Sequence, residues 1–401
     1  MCTRKILVVS EIFYPEGGGA ELATYLILKI LKQHGFRITV VTGTRKPFII
    51  PGVQYFYMPL LKNSNRITRW SCMKILSQQQ WFTKLLKQHD TLYVPLAGYP
   101  LIPLAKEMGL RVIVHLHNYM PVRYYGVKYF FEDDVVNNPY RELKMSIWHE
   151  IHVHNSVRRA ILTPLSYTMY RFSRYWIEEA DHIICVSKRQ AEIFTKTLPK
   201  VTGKVKVIHN PLPPLPRIEK KLSDKEIVLL YVGGRSYLKG YHILLKALIK
   251  LSKIMPKSRK LRVVMTGNSF TQKKLMEIAN IRIEVLGKVA RETLMNLHRI
   301  AHALVFPSIW EEPLPYAVLE STLLETIPIA SRMGGILEIL DKNFNNLLFK
   351  PNSSEDLACK LVRLVDMKIE DRHEIRKKLK ECLLGKFSKA YEDIIEVFKL
   401  D

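Results

Sequence analysis

Twice in this chain a run of strand-forming residues breaks into a glycine-rich loop and passes directly into an amphipathic helix. The first copy is KILVVSEIFYP, the loop PEGGGAE and the helical stretch AELATYLILKILKQHG, which Gly35 stops; FRITVVTG follows as the next strand. The second is EIVLLYVGG, the loop GGRSYLKG and the helix YHILLKALIKLSKI, followed by LRVVMTG. Strand–helix–strand order with near-continuous apolar strands is what a parallel, doubly wound sheet requires, because crossover helices cover both of its faces. Further strands are read in DTLYVPL, RVIVHLH, DHIICVS, KVKVIHNP, IRIEVLG, HALVFPS and IPIAS. Residues 211–226, PLPPLPRIEKKLSDKE, combine proline and charge without apolar period and form the expected linker. The predicted layout is a first domain over 1–212, a second over 213–385, and a C-terminal helix over 386–401 packing back on the first. The two α/β halves are expected to face each other across a cleft, with ligands at the carboxyl ends of the strands.

The length of 401 residues suits two domains of about 200 residues. Cys2, Cys72, Cys185, Cys359 and Cys382 lack CxxC spacing, which points to neither a disulfide framework nor a zinc site and fits a reducing interior. No run of about 18 apolar residues is present, so no membrane-spanning helix is expected. MCTRK leads straight into ILVVS, which reads as a first strand and not as a signal peptide. The expected location is cytoplasmic, or peripheral on the inner face of the membrane.

The formal net charge of +25 calls for an anionic partner: nucleic acid, phosphorylated substrate or membrane surface. Between Glu21 and Asp90 there is no acidic residue, and the segment KNSNRITRWSCMKILSQQQWFTKLLKQH mixes cations with Trp70, Trp81, Phe82, Leu85 and Leu86. Two readings stand: an amphipathic helix resting on anionic headgroups, or a core-packing helix with a basic outer face.

Both glycine loops sit where backbone N–H groups and a helix N-terminus can hold an anion, and Gly17, Gly18 and Gly19 permit close approach. Neither is a GxGxxG fingerprint or a Walker A loop. The second loop adds Arg235 and Lys239; cations at a helix start oppose its dipole, so a diphosphate partner is the more comfortable reading. In VIVHLHNYMP, His115 and His117 are expected to point to opposite sides of the sheet, with His117 the better candidate for substrate contact. In EEPLPYAVLE, Glu312 should lie in a loop and Glu320 on the helix beginning near Pro315; helix capping explains Glu311 or Glu312 but not Glu320.

These motifs, in this order, resemble the GT-B fold retaining glycosyltransferases of family 4 (glycosyl transferases group 1) over nearly the whole chain. The carriers are PEGGGAE, HNY, ADHIICVS, VKVIHNP, YVGGRSYLKG, PSIWEEPLPYAVLE and GGILEI, with an E-x7-E spacing on Glu312 and Glu320. The resemblance implies an α/β, GT-B architecture of two Rossmann-like domains and transfer of a sugar from a nucleotide-diphosphate donor with retention. Carried over by position, Glu312 and His117 contact the donor sugar and Glu320 the ribose. Arg235 and Lys239 bind the diphosphate, Gly18 and Gly19 lie near diphosphate and acceptor, and the Val289 backbone reads the base. Gly234, Pro313, Leu314 and Pro315 complete the donor side. The donor is expected to be UDP- or GDP-linked, with no metal and no other cofactor; the acceptor is a lipid-linked, glycolipid or polysaccharide glycan at an anionic membrane surface. Two departures stand out: Arg235 and Lys239 are one residue closer than in many relatives, and Leu314-Pro315 replaces the usual Phe-Gly, removing an N–H. Competing readings are a nucleic-acid-binding protein, which lacks a recognition signature here, a silent scaffold, and a sugar-nucleotide epimerase on the same fold.

Overall fold

Each glycine-interrupted copy builds its own sheet. The computed structural model describes residues 4–63, 66–135, 138–223, 225–267, 270 and 272–399. They divide into unit 1, Met1–Lys128 with Asp133–Pro211 and Lys389–Asp401, and unit 2, Leu212–Ser388 with Tyr129–Glu132.

Unit 1 contains strands β1 (Lys5–Ser10), β2 (Arg37–Thr42), β3 (Gln54–Tyr57), β4 (Thr91–Val94), β5 (Arg111–Leu116), β6 (His182–Cys185) and β7 (Val205–Val207). They pair in parallel in the order β3-β2-β1-β4-β5-β6-β7. Its helices are α1 (Gly19–Gln33), α2 (Arg66–Ser77), α3 (Gln80–Leu86), α4 (Ile102–Glu107), α5 (Pro139–His152), α6 (Val157–Glu178) and α7 (Lys188–Thr197). The strand order reverses between β1 and β4, and loops at their carboxyl ends diverge there, which is where open α/β sheets place ligands.

Unit 2 contains β8 (Glu226–Val232), α8 (Tyr241–Ile254), β9 (Lys260–Thr266), β10 (Lys274–Ile278), β11 (Ile281–Gly287), α9 (Arg291–Ile300), β12 (Ala303–Phe306), α10 (Tyr316–Leu323), β13 (Ile327–Ser331), α11 (Ile336–Ile339), β14 (Leu348–Phe349), α12 (Ser354–Asp366) and α13 (Ile369–Phe387). The sheet order is β10-β11-β9-β8-β12-β13-β14, parallel except for β10 against β11, and its switch point lies between β8 and β12.

The last helix, α14 (Ala390–Lys399), belongs to unit 1. Its Ile394, Val397 and Phe398 join the core formed by Ile6, Val8, Ile27, Leu31 and Val40, each contributing roughly 1.5–3 kcal/mol. Arg111 of β5 donates to the Val397 carbonyl at 2.5 Å, placing a cation at the helix C-terminus where the dipole favours one.

Three strands escape the sequence reading. β10 joins β11 through a tight turn with Ala279 at φ 52°, where a glycine or asparagine would have signalled a hairpin. β3 and β14 are four- and two-residue edge strands, too short for a period to show. The basic segment is two helices, broken at the polar Gln78-Gln79, and its Met73, Leu76, Phe82 and Leu86 are fully buried. Most of its apolar side therefore packs inward, with Ile75 and Trp81 left exposed. Among the described residues no helix is long and apolar enough to cross a membrane.

Candidate active site

The two glycine loops and the EEPLP segment all emerge from strand carboxyl ends at the switch points. In unit 2 the chain leaves β8 through Gly233 and Gly234, whose N–H groups donate to the Thr266 carbonyl at 3.1 Å each. Gly234 holds φ 60° and Gly240, which caps α8, holds φ 68°; a Cβ on Gly240 would collide with the Pro307 backbone at the end of β12. That close approach brings Lys239 to the neighbouring strand's loop. Its Nζ lies 2.7 Å from Glu312 Oε1, and the same oxygen accepts from Ser308 Oγ at 3.0 Å. The ammonium also sits 5.3 Å from the Phe306 ring centroid. The pair spans the switch point, Lys239 following β8 and Glu312 following β12. Arg235 is exposed in the same loop.

Pro313, Leu314 and Pro315 are all buried, and Pro315 is the residue preceding α10. They separate the glutamates from the helix start, so neither Glu311 nor Glu312 caps α10, whose first turn holds no acid. The capping explanation is thereby corrected. Glu311 instead accepts from the Gly334 N–H at 2.7 Å, and Gly335 donates to the Glu312 carbonyl at 2.8 Å. A Cβ at Gly335 would strike the Pro313 carbonyl, which gives GGILEI its physical meaning: the loop after β13 clamps the Glu312 loop.

Glu320, on α10, is 7% exposed, and its Oε1 lies 2.9 Å from Arg291, the first residue of α9. Burial pushes its carboxyl above the ordinary range, and the Arg291 guanidinium opposes that rise. Val289 stands two residues before Arg291 in the same β11–α9 loop, so the two positions assigned to the nucleoside are brought together. Arg291 was missed by sequence reasoning; its signal was a cation opening a helix, the argument applied to Lys239.

In unit 1 the loop after β1 is partly self-satisfied. The Gly18 N–H donates to the Glu21 carboxylate at 2.6 Å, and Gly19 begins α1, exposed beside it. His115 and His117 lie on the same side of the sheet, with ring centroids 4.2 Å apart. The expectation of opposite sides fails because two residues is a full strand period. His115 Nδ1 is 2.8 Å from the Tyr93 hydroxyl, and the Nε2 atoms of both His115 and His117 are buried without a hydrogen-bond partner among the described residues. Burial drives the His117 imidazole down to about 3, so it is neutral at ordinary pH. A further unread residue is Glu11, just past β1. Its Oε1 accepts from the Ala97 N–H at 3.2 Å across the β1/β4 switch point, its Oε2 is buried without a partner among the described residues, and burial raises its carboxyl. Among the described residues no group of three His, Cys, Asp or Glu is arranged to hold a metal ion.

Two family models divide the chain. Glycosyltransferase Family 4 matches residues 17–214 and Glycosyl transferases group 1 matches residues 216–381. The chain belongs to the GT-B glycosyltransferases of group 1 and family 4, built from two Rossmann-like domains. It is similar to an uncharacterized glycosyltransferase of Methanocaldococcus jannaschii, 27% identical over 205 residues that cover 47% of this chain and 51% of that protein. It is also similar to the lipopolysaccharide 1,2-N-acetylglucosaminetransferase of Salmonella typhimurium, 26% identical over 196 residues, 46% of this chain and 50% of the relative. The matches thus span about half the length of these relatives. In fold it resembles Anabaena HepE solved in complex with UDP and glucose, with a TM-score of 0.63 at 16% identity, covering 98% of this chain and 99% of that one.

Proposed function

We propose that the protein is a retaining glycosyltransferase that moves a sugar from a UDP- or GDP-linked donor to a lipid-linked, glycolipid or polysaccharide acceptor. The observation that carries the reading is the Lys239–Glu312 pair across the unit 2 switch point. It sets a cation where a diphosphate would leave and a carboxylate where positive charge would develop on the sugar. The name of the HepE complex, with UDP and glucose, and that of the Salmonella lipopolysaccharide enzyme support the donor and acceptor classes.

In the proposed step the bond between the anomeric carbon and the diphosphate oxygen breaks, and its electron pair stays on the phosphate. Lys239 and Arg235 neutralise that charge, a task otherwise suited to a metal ion. The acceptor oxygen bonds to the same face of the anomeric carbon and passes its proton to the departing phosphate oxygen. Glu312 stabilises the cationic sugar without attacking it, because Lys239 and Ser308 already hold its Oε1. Glu320 takes the ribose hydroxyls, the Val289 backbone reads the base, and Gly234, Pro313, Leu314 and Pro315 shape the sugar's surroundings. His117, neutral and with Nε2 unpartnered, suits a sugar hydroxyl, while Gly18 and Gly19 serve the acceptor side. The test is proton NMR of the first product formed from an α-linked donor. An α-anomer supports retention; a β-anomer appearing first rejects it.

A further inference from the structure

Helix α6 is built inside out. Apart from Ile177, its core-facing side carries small or polar residues, Ala160, Thr163, Ser166, Tyr167, Tyr170 and Ser173, and Glu142 receives Tyr167, Tyr170 and Arg174 there. Its outer side carries Val157, Ile161, Leu165, Phe172 and Tyr175 at helical spacing, exposed by 67, 72, 58, 55 and 60%. A helix of a soluble domain ordinarily shows the reverse pattern, and a contiguous exposed apolar stripe marks an interaction surface. At 22 residues the helix is roughly 33 Å long.

Beside the stripe, between α2 and α6, runs an apolar groove lined by Trp70, Lys74, Ile75, Met169, Phe172 and Trp176. Trp176 stacks between Trp70, 5.0 Å away, and Phe172, 6.2 Å away. Trp70 and Met169 also line a narrower slot that reaches Ala97 and Met120, and Ala97 is the residue Glu11 holds at the unit 1 switch point. The surrounding charge is mainly basic: Glu178 and Glu179 lie only at the C-terminal end of α6, and Glu142 and Glu150 of α5, both buried, pair with Arg171, Arg174 and Arg159. Residues 22–89 contain no acid, and α6 carries Arg158, Arg159, Arg171 and Arg174 with Glu178 as its last residue. Lys74 and Arg158 are exposed.

We propose that this face docks onto an anionic phospholipid bilayer. The α6 stripe enters the acyl boundary, Lys74, Arg158 and Arg171 meet headgroup phosphates, and one hydrocarbon chain lies in the α2–α6 groove. A second copy of the chain is the poorer occupant, since pairing α6 with itself sets arginines against arginines. The proposal rests on the transferase reading only for its purpose, which is to bring a lipid-borne acceptor toward the loop after β4.

The test is co-sedimentation of the full chain with phosphatidylcholine vesicles, with and without phosphatidylglycerol. Wild type should bind the anionic vesicles and release as salt is raised. The double variant Ile161→Glu, Leu165→Glu should lose about tenfold or more in partitioning, and Ile254→Glu, equally exposed on unit 2 at 56%, should lose none. A melting curve checks that each variant folds; should the double variant not fold, Lys74→Glu with Arg158→Glu must abolish the preference for anionic lipid. Failure of wild type to bind anionic vesicles, unchanged binding by the α2 and α6 variants, loss of binding by Ile254→Glu, or a dimer that Leu165→Glu dissociates overturns the proposal. Donor hydrolysis by wild type is measured separately. Vesicle binding without turnover of any nucleotide sugar overturns the transferase reading alone, and turnover without vesicle binding overturns the docking alone.

Discussion

Replacing Lys239 by methionine keeps the aliphatic stem over Phe306 and removes only the charge. Glu312, 5% exposed, then keeps the hydrogen bond it accepts from Ser308. Two unit charges 2.7 Å apart attract by about 6 kcal/mol at an effective dielectric of ~20. Lys239 is 34% exposed, however, so solvent screens the pair and the net loss should be about 2 kcal/mol. In a unit of this size that lowers its melting temperature by roughly 4–8 °C. Activity should fall further, because the charge is needed where the diphosphate departs: about 10²–10³-fold in kcat by the measure of other preorganised charges. Adding Glu312→Gln should recover most of the stability and none of the activity. The assays are thermal unfolding and release of nucleoside diphosphate. Unchanged stability together with unchanged turnover would refute the reasoning and make Lys239 a solvated surface cation.

Other expectations follow from the same geometry. Gly335→Ala drives a Cβ into the Pro313 carbonyl and displaces the Glu312 loop; unfolding in urea should show a loss of about 1–3 kcal/mol, and a displacement near 1 Å should cut turnover about 10²-fold. Arg291→Ala should cost under about 1 kcal/mol of stability, since the guanidinium is 43% exposed. Its removal lets burial raise the Glu320 carboxyl further, so the donor KM should rise and its acidic limb should move to higher pH; a KM–pH profile identical to wild type would contradict this. In unit 2, burial lowers His298 to about 3 and His302 to about 4, and His302 Nδ1 accepts the Val228 N–H. The unfolded chain protonates these rings near pH 6.5 and the folded one does not until lower pH. Stability should therefore fall as pH drops from about 6.5 to 4, by ~1.4 kcal/mol per pH unit for each ring. Glu320, raised by burial, works in the opposite sense, so the slope is read as the difference between wild type and His302→Asn in urea midpoints at several pH values.

Part of the geometry around Lys239, Glu312 and Glu320 was legible because it rests on rules that leave marks in sequence. Gly240 and Gly335 lay in the motifs GGRSYLKG and GGILEI, and the structure supplies the reason glycine stands there, since a Cβ on either would strike the Pro307 or Pro313 backbone beside the Lys239–Glu312 pair. Glu320 stood out because an acid beside Val318 and Leu319 has no structural excuse, and the structure buries it. What stayed hidden depends on direction and partners, which a one-dimensional pattern does not carry. Arg291 looks like any solvated cation until Glu320 is placed against it, and Glu11 reads as a polar strand end until the β1/β4 reversal buries it. The aromatic, basic segment 62–89 left two readings open; the structure buries Met73, Leu76, Phe82, Leu85 and Leu86, leaves Ile75 and Trp81 exposed, and puts the longer exposed stripe on α6. Periodicity finds a stripe without saying which side meets the core.

The most direct test is turnover of a panel of UDP- and GDP-sugars by the wild-type chain, read as release of nucleoside diphosphate, beside Lys239→Ala and Glu312→Ala. Release from at least one donor, lost in both variants while their folds persist, is the predicted result. No release from any nucleotide sugar, or release that survives both substitutions, would contradict the assignment of Lys239 and Glu312 to sugar transfer.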